Sequence, residues 1–253
     1  MHDASWKKIF NDYKILQHDF SKAPFIITAE QIKKATHSFK KTGEKEVRIL
    51  CKQDCREGRA EVFIKNGLFL LPIKNGAYAI VRGEGYLSIP KITNTIQIYN
   101  SKLDFKLDTS RVGNSEMQHL DFAYAASLVR TFLGDPSLVL TIRGRKYTPA
   151  FSFRVGKQLI EVNGVQTEVD AGYEGKEQIV LIEAKNSKTS NVIIRQLFYP
   201  YRQWSHYTKK KVVTLFFEKV SDLYCLWHFE FIDKDDYNSV KLVKSCKYQI
   251  IDK

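Results

Sequence analysis

The segment Gln178-Ile179-Val180-Leu181-Ile182-Glu183-Ala184-Lys185 restricts the possible folds more than any other part of the chain. Its four consecutive apolar residues are far too few to span a membrane and show no helical spacing. An unbroken β-branched and aliphatic run of this length predicts a strand buried on both faces, which places it inside a sheet covered by layers on either side. The run ends in Glu183 and Lys185. Residues two apart on a strand face the same way, so both project together while Ala184 points opposite. A carboxylate and an amine at the end of a buried strand are costly unless solvated, paired or used.

The preceding segment supplies a partner. Val165 to Ala171 alternates as a strand that ends near Asp170, and Gly172 and Gly175 predict the turn into the next strand. Such a hairpin brings Asp170 beside Glu183. Two hard carboxylates that converge suit Mg2+, which would activate water and offset charge on a phosphate. Lys185 would orient or deprotonate that water, or neutralise the phosphate. Glu168 shares a face with Asp170 and is an alternative ligand. A second Glu-x-Lys, Glu174-Gly175-Lys176, lies in the glycine-containing turn and reads as surface. The competing reading of Glu183 and Lys185 is a structural ion pair at a strand end.

The net charge of +12 over 253 residues points to a polyanionic partner, because neutralising phosphates releases counterions. A merely basic protein, or one that sits on anionic lipid, is the alternative. Hydrophobic residues at 43% and charged residues at 27% describe a globular chain rather than a disordered one. Met1 to Phe20 is polar and holds no signal-peptide run, so the expected location is cytoplasmic, with no membrane association. Cys51, Cys55, Cys225 and Cys246 are expected as free thiols. Cys51 and Cys55 lack a second pair at zinc-site spacing. No nucleophile elbow, phosphate-binding glycine loop or dinucleotide fingerprint is present, which disfavours triad hydrolases and NTPases.

Along the chain, Ala4–Tyr13 predicts a short helix. A second helix from Thr28 to about Lys40 starts with a capping box of Thr28 and Gln31, and its outer face carries Lys33, Lys34, Lys40 and Lys41. Val47–Cys51, Val62–Ile64, Leu68–Ile73, Tyr78–Val81 and Tyr86–Ile89 read as strands of an antiparallel meander, with hairpin turns at Asn66-Gly67 and Asn75-Gly76. The loop from Lys52 to Arg59 carries Lys52, Gln53, Arg56 and Arg59, which can bond to bases or phosphates or can simply be solvated. A domain boundary falls near Asp104–Asn114, dividing residues 1–110 from 111–253. A helix follows from Glu116 to Leu133, capped by Ser115 and Gln118 and stopped by Gly134. Strands come next at Ala150–Val155, Leu159–Val162, Val165–Ala171 and Gln178–Ala184. A helix then spans Asn191–Tyr207, followed by strands Lys211–Phe217, Leu223–Ile232 and Val240–Ile250. The fold class is α+β: a helix-plus-meander domain followed by a mixed sheet flanked by helices.

Asp170, Glu183 and Lys185 resemble, position by position, the motif of the PD-(D/E)XK nuclease superfamily, an acidic residue followed after a variable gap by Glu-x-Lys. Val169 stands where that motif often has proline. The order of elements from Glu116 to Phe217 resembles the core of that superfamily, and the whole chain is similar to type II restriction endonucleases. The resemblance implies a restriction-endonuclease-like core that hydrolyses double-stranded DNA with Mg2+. Asp170 and Glu183 would hold the metal, the backbone carbonyl of Ala184 and Glu116 (or Asp121) would be further ligands, and Lys185 would serve the water. It also implies substrate contacts from Asn186, Ser187 and Lys188 after the catalytic strand, and from Arg195 and Gln196 on the next helix. A homodimer on a palindromic site is expected, with a cognate DNA methyltransferase as functional partner. A repair or junction nuclease with the same core and a non-catalytic DNA-binding regulator are the rival readings.

Overall fold

The first firm helix begins where a reciprocal cap forms. Thr28 Oγ1 accepts from the Gln31 amide at 3.2 Å, and Gln31 Oε1 accepts from the Thr28 amide at 2.8 Å. The computed structural model describes residues 2–251; Met1, Asp252 and Lys253 lie outside the described residues. Helix α1 (Asp3–Asp12) precedes strand β1 (Phe25–Thr28), which runs into α2 (Ala29–Thr36), two single turns, α3 (Thr42–Lys45) and α4 (Val47–Leu50), and α5 (Glu61–Lys65). Strands β2 (Leu68–Lys74) and β3 (Ala77–Arg82) turn at Asn75-Gly76 and join β1 in an antiparallel sheet of order β1-β3-β2. Trp6, Phe10 and Phe63 meet edge to face beneath it, with Phe63 centroids 4.8 and 5.1 Å from the other two rings.

Two expected strands are helical. Val47–Cys51 contains α4, and Val62–Ile64 lies inside α5. Each is too short for its periodicity to decide, and each buries one side only, Val47 with Leu50 and Phe63 alone. Asn66-Gly67 is accordingly not a hairpin. It ends α5, with Gly67 at φ 60°, the left-handed conformation in which helices commonly stop. The second helix also ends earlier than expected, at Thr36.

The rest of the chain comprises β4 (Tyr86–Ser88), β5 (Gln97–Asn100), α6 (Glu116–Ala125), α7 (Leu128–Leu133), β6 (Val139–Tyr147), β7 (Phe151–Val155), β8 (Gln158–Val162), β9 (Gln166–Glu174), β10 (Gln178–Lys185), β11 (Asn191–Ile193), α8 (Arg195–Tyr207), β12 (Lys211–Val220), β13 (Leu223–Phe231) and β14 (Val240–Ile251). The single helix expected over Glu116–Leu133 breaks into α6 and α7 at Ser127, which has φ 66°. Its capping box is half formed. Ser115 Oγ accepts from the Gln118 amide at 3.2 Å, but the Gln118 side chain turns to the carbonyls of Thr109 and Val112. Asn191–Ile193, expected in a helix, pairs with β4 as a strand.

The architecture is α+β. A seven-stranded mixed sheet has the order β5-β14-β13-β12-β10-β9-β6. Strand β5 belongs to this sheet although it precedes residue 110, so the large sheet draws on chain from both sides of the boundary expected there. Strands β10 and β12 are parallel and connected through α8, and the β9–β10 and β6–β9 pairs are antiparallel. Strand β10 is buried on both faces, as its composition predicts. Val180, Ile182 and Ala184 pack in the cluster that includes Leu120 and Val129 of α6 and α7, whereas Ile179 and Leu181 pack with Ile142, Val169 and Trp204 on the α8 side. A further core joins the N-terminal sheet to the large one, with Phe69, Val81, Phe153, Phe198 and Phe216 in one cluster. The four cysteines are free thiols. Among the described residues no helix is long and apolar enough to cross a membrane.

Gly172 is not part of the turn, contrary to expectation. It sits in β9, opposite Leu181 and Ile142, and a Cβ built there would lie 2.6 Å from Ile142 Cβ. The close approach of β6 to β9 therefore requires glycine. Gly172→Ala is expected to lower stability by about 1–3 kcal/mol through overpacking, read as a lower urea midpoint with an unchanged m-value.

Candidate active site

Strand β9 leaves β10 at the point where the acidic groups meet. Their pairing runs from Ile179↔Glu174 to Ile182↔Ala171 and stops, while β9 continues along β6 through Gly144↔Val169 and Arg145↔Glu168. Strand β10 goes on alone against β12, through Glu183↔Phe216 to Lys185↔Glu218. The β9 strand also changes face here: Ala171 and Tyr173 pack toward α6 and α7, whereas Val169 packs toward α8. Asp170 sits at that crossover. Its Oδ2 accepts from the Ala184 amide at 2.8 Å and so takes the place of the missing ladder carbonyl. Asp170, Glu183 and Lys185 are thereby brought together.

Glu183 is 8% exposed and lies on the α8 side of β10. Gln196 Nε2 at the start of α8 donates to Glu183 Oε1 at 2.6 Å, and Lys185 Nζ forms an ion pair with the same oxygen. Lys185 Nζ also donates to the Ala184 carbonyl at 3.1 Å. Burial pushes the Glu183 carboxyl up to about 7 despite the attraction of Lys185. Asp170 is raised as well, chiefly by burial, with the Ala184 amide and Lys185 acting against the shift. Burial would lower the Lys185 ammonium, but the carboxylates around it, Glu183 first and then Glu116 and Asp170, together hold the group above its ordinary value.

These residues face a cleft of about 980 Å³. One side is the end of the large sheet with α6 and α8, contributing Glu116, Arg145, Glu168, Asp170, Glu183, Lys185, Arg195 and Gln196. The other is the N-terminal unit, contributing among others Lys33, Arg48, Lys52, Gln53 and Tyr78. Lys52, Gln53, Arg195 and Gln196 are thus candidate substrate contacts that the fold brings to the site. Arg195 lies 3.8 Å from Asp54, and its Nε and the Gln196 Oε1 are buried without a partner.

Other candidates are placed elsewhere. Arg56 does not line the cleft: it donates to Ser88 Oγ at 2.8 Å and the Tyr86 carbonyl at 2.9 Å. Arg59 donates to the Leu68 carbonyl at 2.8 Å and lies over the Tyr86 ring. Both arginines fasten their loop to the body of the protein. Asn186, Ser187 and Lys188 lie beyond β10, with Asn186 Nδ2 donating to the Asn114 carbonyl at 3.0 Å. Asp121 is held by Arg143, and Glu168 pairs with Arg145 at 3.2 Å. Glu116 reaches the cleft, but among the described residues no three His, Cys, Asp or Glu side chains are grouped closely enough to hold a metal. The oxygens that could serve a cation here are those of Asp170 and Glu183 and the Ala184 carbonyl. Two carboxylates suit Mg2+, which keeps several waters and otherwise takes substrate phosphate oxygens. Their burial without full compensation is what a divalent cation would relieve.

Arg48 and Arg145 escape notice in the sequence. Arg48 falls in an apolar segment that reads as a strand, and Arg145 follows Gly144 in a strand whose register shifts twice and whose residues are mostly exposed.

In Asp170→Ala the Ala184 amide loses its acceptor and is expected to exchange hydrogen faster, whereas Asp170→Asn, which keeps an oxygen there, preserves protection; residue-resolved amide exchange reads both. Glu183, raised in the fold, contributes stability that is present below its ordinary value of 4.5 and is lost as pH rises through about 7. Metal-free Glu183→Gln is therefore expected to match wild type near pH 4.5 and to exceed its stability at pH 8 by on the order of a few kcal/mol in denaturant titrations.

Residues 81–249 match the family described as Domain of unknown function (DUF6997), and residues 3–80 match that described as Domain of unknown function (DUF6996). No curated protein and no solved structure matches the chain. The first match spans most of the chain, and the protein belongs to the DUF6997 family.

Proposed function

We propose that this protein is a Mg2+-dependent endonuclease for double-stranded DNA, of the restriction type. The observation that carries the reading is the convergence of Asp170, Glu183 and Lys185 at the point where β9 leaves β10, on the floor of a cleft whose walls carry Lys33, Arg48, Lys52, Arg145 and Arg195 beside Glu46, Asp54, Glu116 and Glu168. Supporting it, α6 and α7, the antiparallel run β6-β9-β10, helix α8 and the parallel strand β12 follow the order that the resemblance to PD-(D/E)XK nucleases implies. A purely structural Glu183–Lys185 pair does not account for the raised Glu183 or for its place beside a second carboxylate, Asp170, that is raised too.

Asp170 and Glu183 would hold the metal with the Ala184 carbonyl. When bound, Mg2+ supplies Lewis acidity toward the phosphate and lowers the pKa of a coordinated water. Lys185 spans Glu183 and the Ala184 carbonyl, the same oxygens that would serve a cation. Releasing them turns its ammonium toward the cleft, where it orients water or offsets phosphate charge. Gln196 keeps Glu183 in place from α8 by its 2.6 Å hydrogen bond. Cytoplasmic action as a homodimer on a palindromic site, beside a methyltransferase that protects host DNA, completes the reading.

Incubation of the purified protein with unmethylated phage DNA is expected to yield discrete fragments with Mg2+, none with EDTA and none from Asp170→Ala. A smear would replace the restriction reading with non-specific or repair cleavage. Intact DNA that nonetheless shifts on a gel would overturn catalysis in favour of a DNA-binding regulator.

A further inference from the structure

Lys185 is bonded to oxygens that a divalent ion would take. It follows Glu183 by two residues on β10, so both side chains leave the same face of the strand. Its Nζ forms an ion pair with Glu183 Oε1 and donates to the Ala184 carbonyl at 3.1 Å. Gln196 Nε2 donates to the same Glu183 oxygen at 2.6 Å. On Asp170, Oδ2 accepts from the Ala184 amide at 2.8 Å. The ammonium therefore holds one carboxylate and one carbonyl of the three groups that could serve a cation.

The arrangement favours the lysine without trapping it. Charge-assisted hydrogen bonds are the strong ones, and a partly buried pair is screened little by salt. The Lys185 side chain is 24% exposed and that of Glu183 is 9% exposed. Glu183, Glu116 and Asp170 together keep the ammonium charged. Yet Lys185 lines the cleft, and its four-carbon stem is flexible. The head can leave for the cleft without any movement of β10. Ile182 and Ala184 are fixed in the core cluster with α6 and α7, and Gln196 holds Glu183 from α8. The oxygens thus stay in place when the lysine moves.

We propose that Lys185 is a built-in competitor for the metal: its ammonium pairs with Glu183 and the Ala184 carbonyl, and it must leave them before they can hold a divalent ion. The inference rests on the nuclease reading above and specifies how its metal site is regulated. Two cations cannot share these oxygens at contact distance, because like charges repel strongly in a poorly solvated site. The competent state is the one in which Lys185 has turned to the cleft, and the apparent metal affinity falls by the fraction of molecules in that state. Lys185 thereby sets the metal concentration at which the site assembles, and the same displacement delivers its ammonium to the cleft.

Mg2+ binding is measured by titration calorimetry on the full chain at about pH 8.5, where Lys185 is charged and both carboxylates are ionised. Lys185→Met is expected to bind Mg2+ about ten- to a hundredfold more tightly than wild type, as for a competent state populated at about 10 to 1%. Lys176→Met removes the same charge from the exposed turn before β10 and is expected to leave the affinity unchanged. In wild type the Lys185 ammonium, followed by nitrogen NMR, is expected to lose its protection from exchange with water in step with Mg2+ occupancy, a readout that needs no variant. An equal or weaker affinity in folded Lys185→Met, an equal gain in Lys176→Met, or an ammonium signal that bound Mg2+ leaves unmoved overturns the competition while leaving the metal site intact. Failure of both wild type and Lys185→Met to take up Mg2+ removes the metal site itself, and the nuclease reading with it.

Discussion

The hydrogen bond from the Ala184 amide to Asp170 Oδ2 organises the whole site. A strand in the middle of a sheet must satisfy its backbone on both edges, and β10 loses its β9 partner after Ile182. A side-chain carboxylate fills the gap at 2.8 Å, so the sheet can open without leaving a buried donor unpaired. The same step places an acidic group beside the next residue of β10, which is Glu183. The site is a consequence of how the sheet ends, and its precision comes from β10 being clamped by two hydrophobic layers.

That clamp also explains the electrostatics. Ile182 and Ala184 pack against α6 and α7 while Leu181 packs toward α8, and Glu183 between them is left 8% exposed at the edge of the cleft. In the metal-free chain Lys185 and Gln196 bond to its carboxylate, and they do not offset the loss of hydration. Desolvation of a carboxylate is tolerated where an ion or substrate restores the balance, and functional sites are where such imbalances collect. Asp170 beside it is raised as well, chiefly by burial, so two carboxylates share one corner of the fold.

The half that carries Asp170, Glu183 and Lys185 is legible in the sequence because its signals are local and strongly patterned. An apolar run, a turn between two strands and alternate-facing polar residues place Asp170, Glu183 and Lys185 together without any long-range information. The short elements of the N-terminal half carry no such pattern. Val47–Leu50 and Glu61–Lys65 are helical because Val47, Leu50 and Phe63 have a tertiary core to enter, and isolated segments of that length do not declare their period. Strand β6 is illegible for a related reason. It lies at the edge of the large sheet and most of its residues are exposed, so it shows neither alternation nor an apolar run. Arg56 and Arg59 are of a residue type that a phosphate contact would also use, and only their bonds to Tyr86, Ser88 and Leu68 reveal a structural duty.

Those bonds bear on how the two halves act together. Beyond the hydrogen bond between Asp54 and Ile193, the Arg56 amide donates to Asn191 Oδ1 at 2.7 Å, and Asn191 Nδ2 donates to Glu57. The loop that presents Lys52 and Gln53 is therefore bonded to β11, the strand that leads directly into α8. Arg195 and Gln196 open that helix, and Gln196 holds Glu183. A continuous run of hydrogen bonds and covalent chain thus connects the wall of the cleft to the carboxylate on its floor. Because the bonds of Asp54, Arg56 and Asn191 are made by backbone or by the buried Asn191 side chain, the spacing between wall and floor is set by the fold rather than by loop motion. A cleft built this way holds its wall and its floor at a set spacing before anything binds between them.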